Sequence, residues 1–526
     1  MKALVRGVTC GLVVACCSRV SLADAPGKLS VEQAYLEIGR SGELRDIQID
    51  GNIDLARLQP PAGVTRIILQ GVQVSGKLHV SGDGPKAALW IDHATLQSID
   101  LSHGHLQSSL EIENSTVDGV ARFEGARFDG PFALHSCVFN NKAVFRKAHF
   151  SGPVEIVASQ FHEPAGLKGG VSFSDTRFAA PARFDRSHYY TDLRFDTSRF
   201  DADAAFLRLT VDGHASWRNV IFADDAEFRF CRLGEADFGD DEQMSVFKHM
   251  ADFRGCVMRS IRLDYAEIAG DALLVDMRVS PGNLSLRQAS LRGDRTDFKG
   301  LQVAGLIYLQ QAYIPNLHFL WVEIRDALLR GSPSSDVLRS LKHRLEALGD
   351  EDGAREVGAA LESHVIEEKL ARMDVALSDR LTLWLEKAVW GWPTGYGTRL
   401  DRILGLALAS WLSLSLPLAF GRGLRVARLR NDADLAMPRH SPAPRDALMK
   451  STPSTIGRYL ASYAYGFGLM FAMPNLRLRP TEPLPAFMGF YLVFLRLLGA
   501  VLLALTGLTL AKVSPIIQAL LGKIVH

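Results

Sequence analysis

Large apolar residues in the stretch FDRSHYYTDLRFDTSRFDADAAF fall at Phe184, Tyr189, Phe195, Phe200 and Phe206, in steps of five, six, five and six. An amphipathic helix needs steps of three and four, and a half-buried strand needs steps of two, so neither period accounts for this one. The beat is long. One series runs Leu101, Ile112, Phe123, Leu134, Phe145, Ile156, and a second runs Leu106, Val117, Phe128, Phe139, Phe150, Phe161, each in steps of eleven. After HEPAGLKGGVS the beat slips by one residue and resumes at Phe173, Phe184, Phe195, Phe206, Trp217 and Phe228. Its companion there is Phe178, Tyr189, Phe200, Val211, Phe222 and Leu233.

The residue two before each large one is small, as at Ala121, Ala126, Ala143, Ala148, Ser159, Ser187, Ser198, Ala204, Ala215 and Ala226. Alternate residues of an extended segment point the same way, so each step sends one small and one large side chain inward and then turns on polar residues. A fixed period held this long marks a repeat architecture. The pattern predicts a coil with four faces in about 22 residues, its turns stacked about 4.8 Å apart and its rings stacked along the axis. Upstream, SVEQAYLEIGR carries Ser30 and Gln33 in capping-box spacing and Val31, Ala34, Tyr35 and Ile38 on one face. That predicts a short helix, followed by strand-like IQIDGNIDLARL, covering the open end of the coil.

The segments ARFEGARFDG (121–130), PARFDRSHY (181–189) and DLRFDTSRFD (192–201) resemble the pentapeptide-repeat family in its Phe-rich variant. The resemblance covers about 90–325, with a run of strict fives at Phe253, Met258, Leu263 and Ile268. It implies a right-handed quadrilateral β-helix. Cys137, Cys231 and Cys256 each precede a core residue by two, which places them in the small inward slot as apolar side chains and leaves no disulfide framework or metal spacing.

The two ends change the picture. Lys2 and Arg6, the apolar run Gly7 to Cys17 and Ser21-Leu22-Ala23 read as a signal peptide over 1–23, with cleavage after Ala23. A lipobox ending at Cys16 and a retained leader are the alternatives. After Gly331-Ser332-Pro333-Ser334 the period becomes helical, with Val337, Leu338, Leu341, Leu345 on one face and Val357, Leu361, Val365, Ile366 on another. GDEDG (349–353) between them lacks the ligand spacing of a calcium loop and reads as a helix connector. Apolar runs near 403–420 and 496–515 predict membrane spans, and 459–473 a third span, a re-entrant segment or an interfacial helix. The Arg-rich loop 421–458 predicts a cytoplasmic side for that connection. The resulting map is leader 1–23, cap and irregular β start 24–89, repeats 90–330, helical hairpin 331–390 and membrane region 391–526. Gly395-Tyr396-Gly397 and RLLGAVLLALTGLTLAK (496–512) resemble the degenerate two-helix pore that follows repeats in some bacterial proteins.

The net charge of +1 over 526 residues gives no electrostatic footprint for nucleic acid, which also argues against the DNA-mimicking members of the family. No nucleophile elbow, P-loop, zincin or dinucleotide fingerprint is present in context, so a non-enzyme without metal or cofactor is expected. Testable residues are few. Arg496 lies in an apolar run, either inside a span or marking its surface. Gly395, Tyr396 and Gly397 read as a filter-like turn or, beside Trp390 and Trp392, as an interfacial anchor. Arg177 and Arg199, 22 apart, should stack in one column that Ile221 breaks. His105 and His149 share a repeat position two coils apart, too far for one metal. The expected role is a membrane-anchored scaffold, with the lipid bilayer and a protein or envelope partner as its contacts. Its expected place is a bacterial inner membrane with the repeats in the periplasm. The alternative is a channel-like or mechanosensing protein with cytoplasmic repeats.

Overall fold

The beat forms a β-solenoid of about 13 turns running from Gly27 to His318. The computed structural model describes residues 27–162, 170–239, 241–371, 377–396, 399–420, 455–471 and 486–513. The leader with Cys16, Gly397 and most of the Arg-rich loop lie outside the described residues. Strands are short, many of two residues, and pair in parallel with strands about one turn away, forming sheets of 20, 13 and 9 strands. The 13-stranded sheet takes one strand per turn, as where Leu110–Glu113 pairs with Phe132–His135 and that with Val154–Val157. The segment 24–89, expected to be irregular, already carries this order. Gly27–Ser30 pairs with Ile47–Asp50, and Arg66–Gln70 with Ala88–Asp92.

The alternation of five and six has a backbone cause. In each five-residue step the residue two past the large one is left-handed, as at Lys147 (φ 57°), Arg186 (55°), Thr197 (63°), Arg208 (56°) and Phe230 (58°). The six-residue steps, such as Tyr189 to Phe195 and Phe200 to Phe206, hold no such residue. A left-handed residue reverses the chain more tightly and saves one position. It costs a non-glycine about 1–2 kcal/mol, which the ladder helps to offset. The Arg186 N–H donates to the Leu207 carbonyl at 2.8 Å and the Thr197 N–H to Arg218 at 2.9 Å, one turn on.

Four stacks of rings fill the interior. One contains Phe123, Phe145, Phe173, Phe195, Trp217 and Phe238. Its Phe145–Phe173 centroids lie 4.4 Å apart, so the stack passes unbroken through the 163–169 interruption. The others contain Phe128 to Phe247, Phe139 to Tyr189, and Phe184 to Phe253. The small slots tie turns together. The Ser198 hydroxyl donates to the Phe173 carbonyl at 2.6 Å and accepts the Thr176 N–H at 3.0 Å. The three cysteines occupy equivalent slots, free and buried. Cys137 Sγ donates to the Ile112 carbonyl at 3.2 Å and Cys231 Sγ to Phe206 at 2.6 Å. Burial pushes the Cys137 thiol up to about 12.

Helix α1 (Val31–Ser41) packs at the N-terminal end with its expected capping box intact and Ala34 and Ile38 buried. At the other end the repeats stop short of their expected limit. Residues Trp321–Arg330 form helix α2, whose buried Trp321, Ile324, Ala327 and Leu328 follow helical spacing. The Gly300 N–H donates to Glu323 of α2 at 2.8 Å, so a helix terminates the ladder instead of another strand.

A second compact unit runs from Ser334 onward. Helices α3 (Ser335–Leu348) and α4 (Glu351–Ala371) form the expected hairpin. The turn between them is shorter than GDEDG, because Gly349 (φ 76°) ends α3 and Asp350 accepts the Gly353 N–H at 2.9 Å to start α4. Then come α5 (Leu377–Glu386), a π-turn over Lys387–Gly391, the single turn α6 (Trp392–Thr394), and α7 (Leu400–Phe420), α8 (Thr455–Met470) and α9 (Ala486–Val513). The last three pack through Ala407, Leu418, Met470, Leu495 and Leu502. Gly499 permits the closest approach, since a Cβ there would fall 1.8 Å from the Met470 carbonyl oxygen. Among the described residues one helix, over Gly489–Leu510, is long and apolar enough to cross a membrane.

Candidate functional site

The solenoid turns its charged residues outward, and each face can be followed from strand to strand. Arg177 and Arg199 are directly paired neighbours, and the next member of the column is Ile221, as expected from the spacing. Both guanidinium groups serve one carboxylate. Arg177 Nε donates to Asp201 at 2.7 Å and Arg199 Nε donates to its other oxygen. Burial pushes Asp201 up, and the two guanidinium bonds outweigh it and hold the carboxyl below its usual range. The Nε–H groups of both arginines are thus committed to Asp201, whose single charge balances one of the two guanidinium charges.

Another face carries a ladder of charges. His135 bridges Glu113 at 3.3 Å and Glu155 at 3.1 Å, one turn to either side. Arg183 continues it to Asp185 at 2.7 Å, and Arg254 pairs with Asp252 at 2.6 Å. His105 bridges Asp83 at 3.1 Å and Asp129 at 2.6 Å. His149 lies two turns from it, with Arg127 between them in the column, so the two imidazoles share no metal. One trio, Asp224, Asp225 and His249, has ligand atoms within 4.8 Å of one another at the surface. Asp225 there also accepts the Met250 N–H at 3.1 Å.

A polar cleft of about 300 Å³ is built from successive turns around Asp237, Arg262, Asp264, Ser285, Arg287 and Tyr308. Asp237 and Asp264 are buried carboxylates, as are Asp92, Asp185, Asp252 and Asp297 elsewhere on the solenoid. Burial pushes the Asp237 carboxyl up, against the pull of Arg262 at 3.5 Å and the Gly239 N–H at 3.2 Å. Asp264 accepts the Ser285 hydroxyl and the Arg287 N–H, the latter at 2.8 Å. The Arg287 guanidinium lies 4.2 Å over the Tyr308 ring. Such an arrangement presents acceptors, a hydroxyl and a cation on an aromatic shelf, which suits a hydroxyl-rich or charged ligand. Sequence reasoning missed it. The available signal was the irregular beat from Leu233 through Phe238 to Phe247, where steps of five and nine replace five and six.

In the second unit, Gly395 (φ 56°) and Tyr396 (φ 55°) form a left-handed turn that folds the buried Tyr396 ring back toward Gly391. A Cβ on Gly391 would meet that ring 2.7 Å away. The turn is thus a packed helix end, beside the exposed Trp392. Of its two readings, inside an apolar helix or at the edge of one starting at Leu497, Arg496 takes the first. It lies within Gly489–Leu510, on an exposed side of α9, because the helix begins ten residues earlier, at Ala486. No family model, curated protein or solved structure matches the chain.

Proposed function

We propose that this protein is a non-enzymatic, membrane-anchored β-solenoid scaffold that presents its outer faces to a partner in the cell envelope. The observation that carries this reading is the pairing of a ring-stacked, stiff interior with an outward cleft of buried carboxylates at Asp237 and Asp264. Solenoids use extended faces for binding, and a core of stacked rings holds those faces in register. In its finer form the rod is a right-handed quadrilateral β-helix of the Phe-rich pentapeptide-repeat kind. The beat in steps of five and six and the small inward slots support that assignment.

The proposed place is a bacterial inner membrane with the solenoid in the periplasm. The leader 1–23 would export the repeats, a first span near 403–420 would run inward, and the Arg-rich loop would stay in the cytoplasm. Helix α9 would return through the bilayer, with α8 as a further membrane segment. Fusion of a reporter active only outside the cytoplasm tests this directly. Activity after residue 330 and silence within 421–454 is the expected pattern, and crosslinking would then capture an envelope partner. The reverse pattern overturns the export reading and moves the channel-like alternative, with cytoplasmic repeats as its sensor, ahead.

A further inference from the structure

One corner column of the solenoid is built unlike the others. Arg186, Arg208, Phe230 and Gly255 follow one another on successive turns, all in the left-handed conformation that points a corner side chain outward. The ladder fixes their order. Arg186 N–H donates to Leu207, Arg208 N–H to Arg229, and Phe230 N–H to Arg254, at 2.8 to 2.9 Å. Around them lies a cleft of about 400 Å³ whose walls include Arg183, Asp185 and Arg229.

The wall charges are already satisfied. Asp185 is buried, takes two bonds from Arg183 at 3.1 and 2.7 Å, and accepts the Leu207 N–H at 3.1 Å. Arg229 pairs with Glu227 at 2.6 Å and approaches Asp252 at 3.7 Å. Arg186 and Arg208 make no ion pair among the described residues, and both are exposed. Below them the Phe230 ring is 57% exposed on a rod whose other phenylalanines are buried. The ring lies down across the next turn because that turn offers a glycine. A Cβ on Gly255 would come within 2.5 Å of the ring edge.

Two uncommitted guanidinium forks one turn apart, about 4.8 Å by strand spacing, sit beside a flat aromatic floor. Guanidinium forks bind carboxylates bidentately, and an exposed ring packs against the apolar face of a sugar. We propose that this corner binds an acidic polysaccharide, its uronate carboxylates on Arg186 and Arg208 and a pyranose face on Phe230. The turn spacing is close to the advance of one sugar along an extended glycan, so the chain would lie along the rod. This inference rests on the scaffold reading above and names one ligand class for it.

The test uses the full chain in detergent, with hexagalacturonate as probe, its carboxyl-reduced neutral analogue as control, and phosphatidylglycerol vesicles as a second anionic source. Titration calorimetry at low salt should show hexagalacturonate bound and the neutral analogue not. R186Q/R208Q should weaken binding roughly tenfold or more, and F230A should weaken it several-fold, with near-UV circular dichroism unchanged. Equal affinity for the neutral analogue, or an unaffected double variant, overturns the proposal. Arginine-dependent binding to vesicles alone overturns it in favour of a lipid headgroup. Should hexagalacturonate fail while periplasmic crosslinking still captures a specific partner, the glycan falls and the scaffold reading stands.

Discussion

Phe206 and Phe490 are the same residue with opposite fates. Phe206 is wholly buried between Phe184 at 5.1 Å and Phe228 at 4.6 Å, whereas Phe490 on α9 is 78% exposed. The difference runs through both regions. In the solenoid each turn roofs the one before, so every inward side chain finds apolar neighbours above and below. The helices α7, α8 and α9 cover only one strip of each other, through residues such as Leu495 and Met470, and leave Phe487, Phe490 and Leu497 outward. A rod that satisfies its own apolar surface is suited to water. Helix α9 has apolar residues on both its packed and its outward side, is the one helix among the described residues long and apolar enough to cross a membrane, and packs closely on α8 at Gly499.

The largest expected effect breaks that comparison at its centre. Phe206→Ala removes a ring from a closed stack and should cost about 3–5 kcal/mol, read as a lower denaturation midpoint of the solenoid. Phe490→Ala should change the unfolding of the detergent-solubilised chain by less than about 0.5 kcal/mol. Equal losses would show that α9 buries its outer side against something in the chain itself. A smaller effect tests the corners. Lys147→Val forces a β-branched residue into φ 57° and should destabilise by about 1 kcal/mol or more. Lys147→Gly should stabilise by about 0.5 kcal/mol, since relief of the left-handed penalty exceeds the entropy cost of glycine. Thermal unfolding of both variants at one pH decides it, and a destabilising glycine would refute the corner explanation.

The smallest effect lies on the solvated face. Hydrogen bonds from His105 and then Arg127 lower the Asp129 carboxyl to about 2, and the same contact raises the His105 imidazole above its ordinary value. The carboxylate's contribution is present above its ordinary 3.8 and fades as pH falls toward 2. The imidazolium's contribution is complete below 6.5 and fades as pH rises through the raised value. Both act together from 3.8 to 6.5. Asp129→Asn should therefore lower the His105 titration midpoint seen by NMR and destabilise slightly more at pH 5 than at pH 8. An unmoved midpoint would show that the pair does not form in solution.

Much of the solenoid was legible because its period repeats. The large residues, the small slots of Cys137, Cys231 and Cys256, the capping box at Ser30 and the broken column Arg177–Arg199–Ile221 all follow from counting along one beat. Features at the ends and interruptions were not. Helix α2 replaces the last expected repeats because Trp321, Ile324 and Leu328 change to helical spacing within ten residues, too short a window to outweigh the beat before it. Arg496 has two readings in the sequence because one charge interrupts an apolar count, although a helix carries such a residue on its outer side without breaking. The Asp237 cleft arises where the beat fails, and the Arg186–Arg208–Phe230 corner arises from residues the beat treats as mere turn positions.

The sequence by itself determined which side chains face the axis and that turns recur, because inward positions must be apolar at a fixed period whatever the shape of the corner. Only the tertiary structure decided which turns are left-handed, which charges pair across turns, and which stay free. Partners across turns lie about 22 positions away, on neighbouring turns whose exact register is set by insertions and corner geometry, whereas pairs such as Arg199–Asp201 and Arg183–Asp185 are two residues apart. Asp201 thus takes a bond from Arg177 on the turn before and from Arg199 beside it, while Arg186 and Arg208 make no ion pair among the described residues.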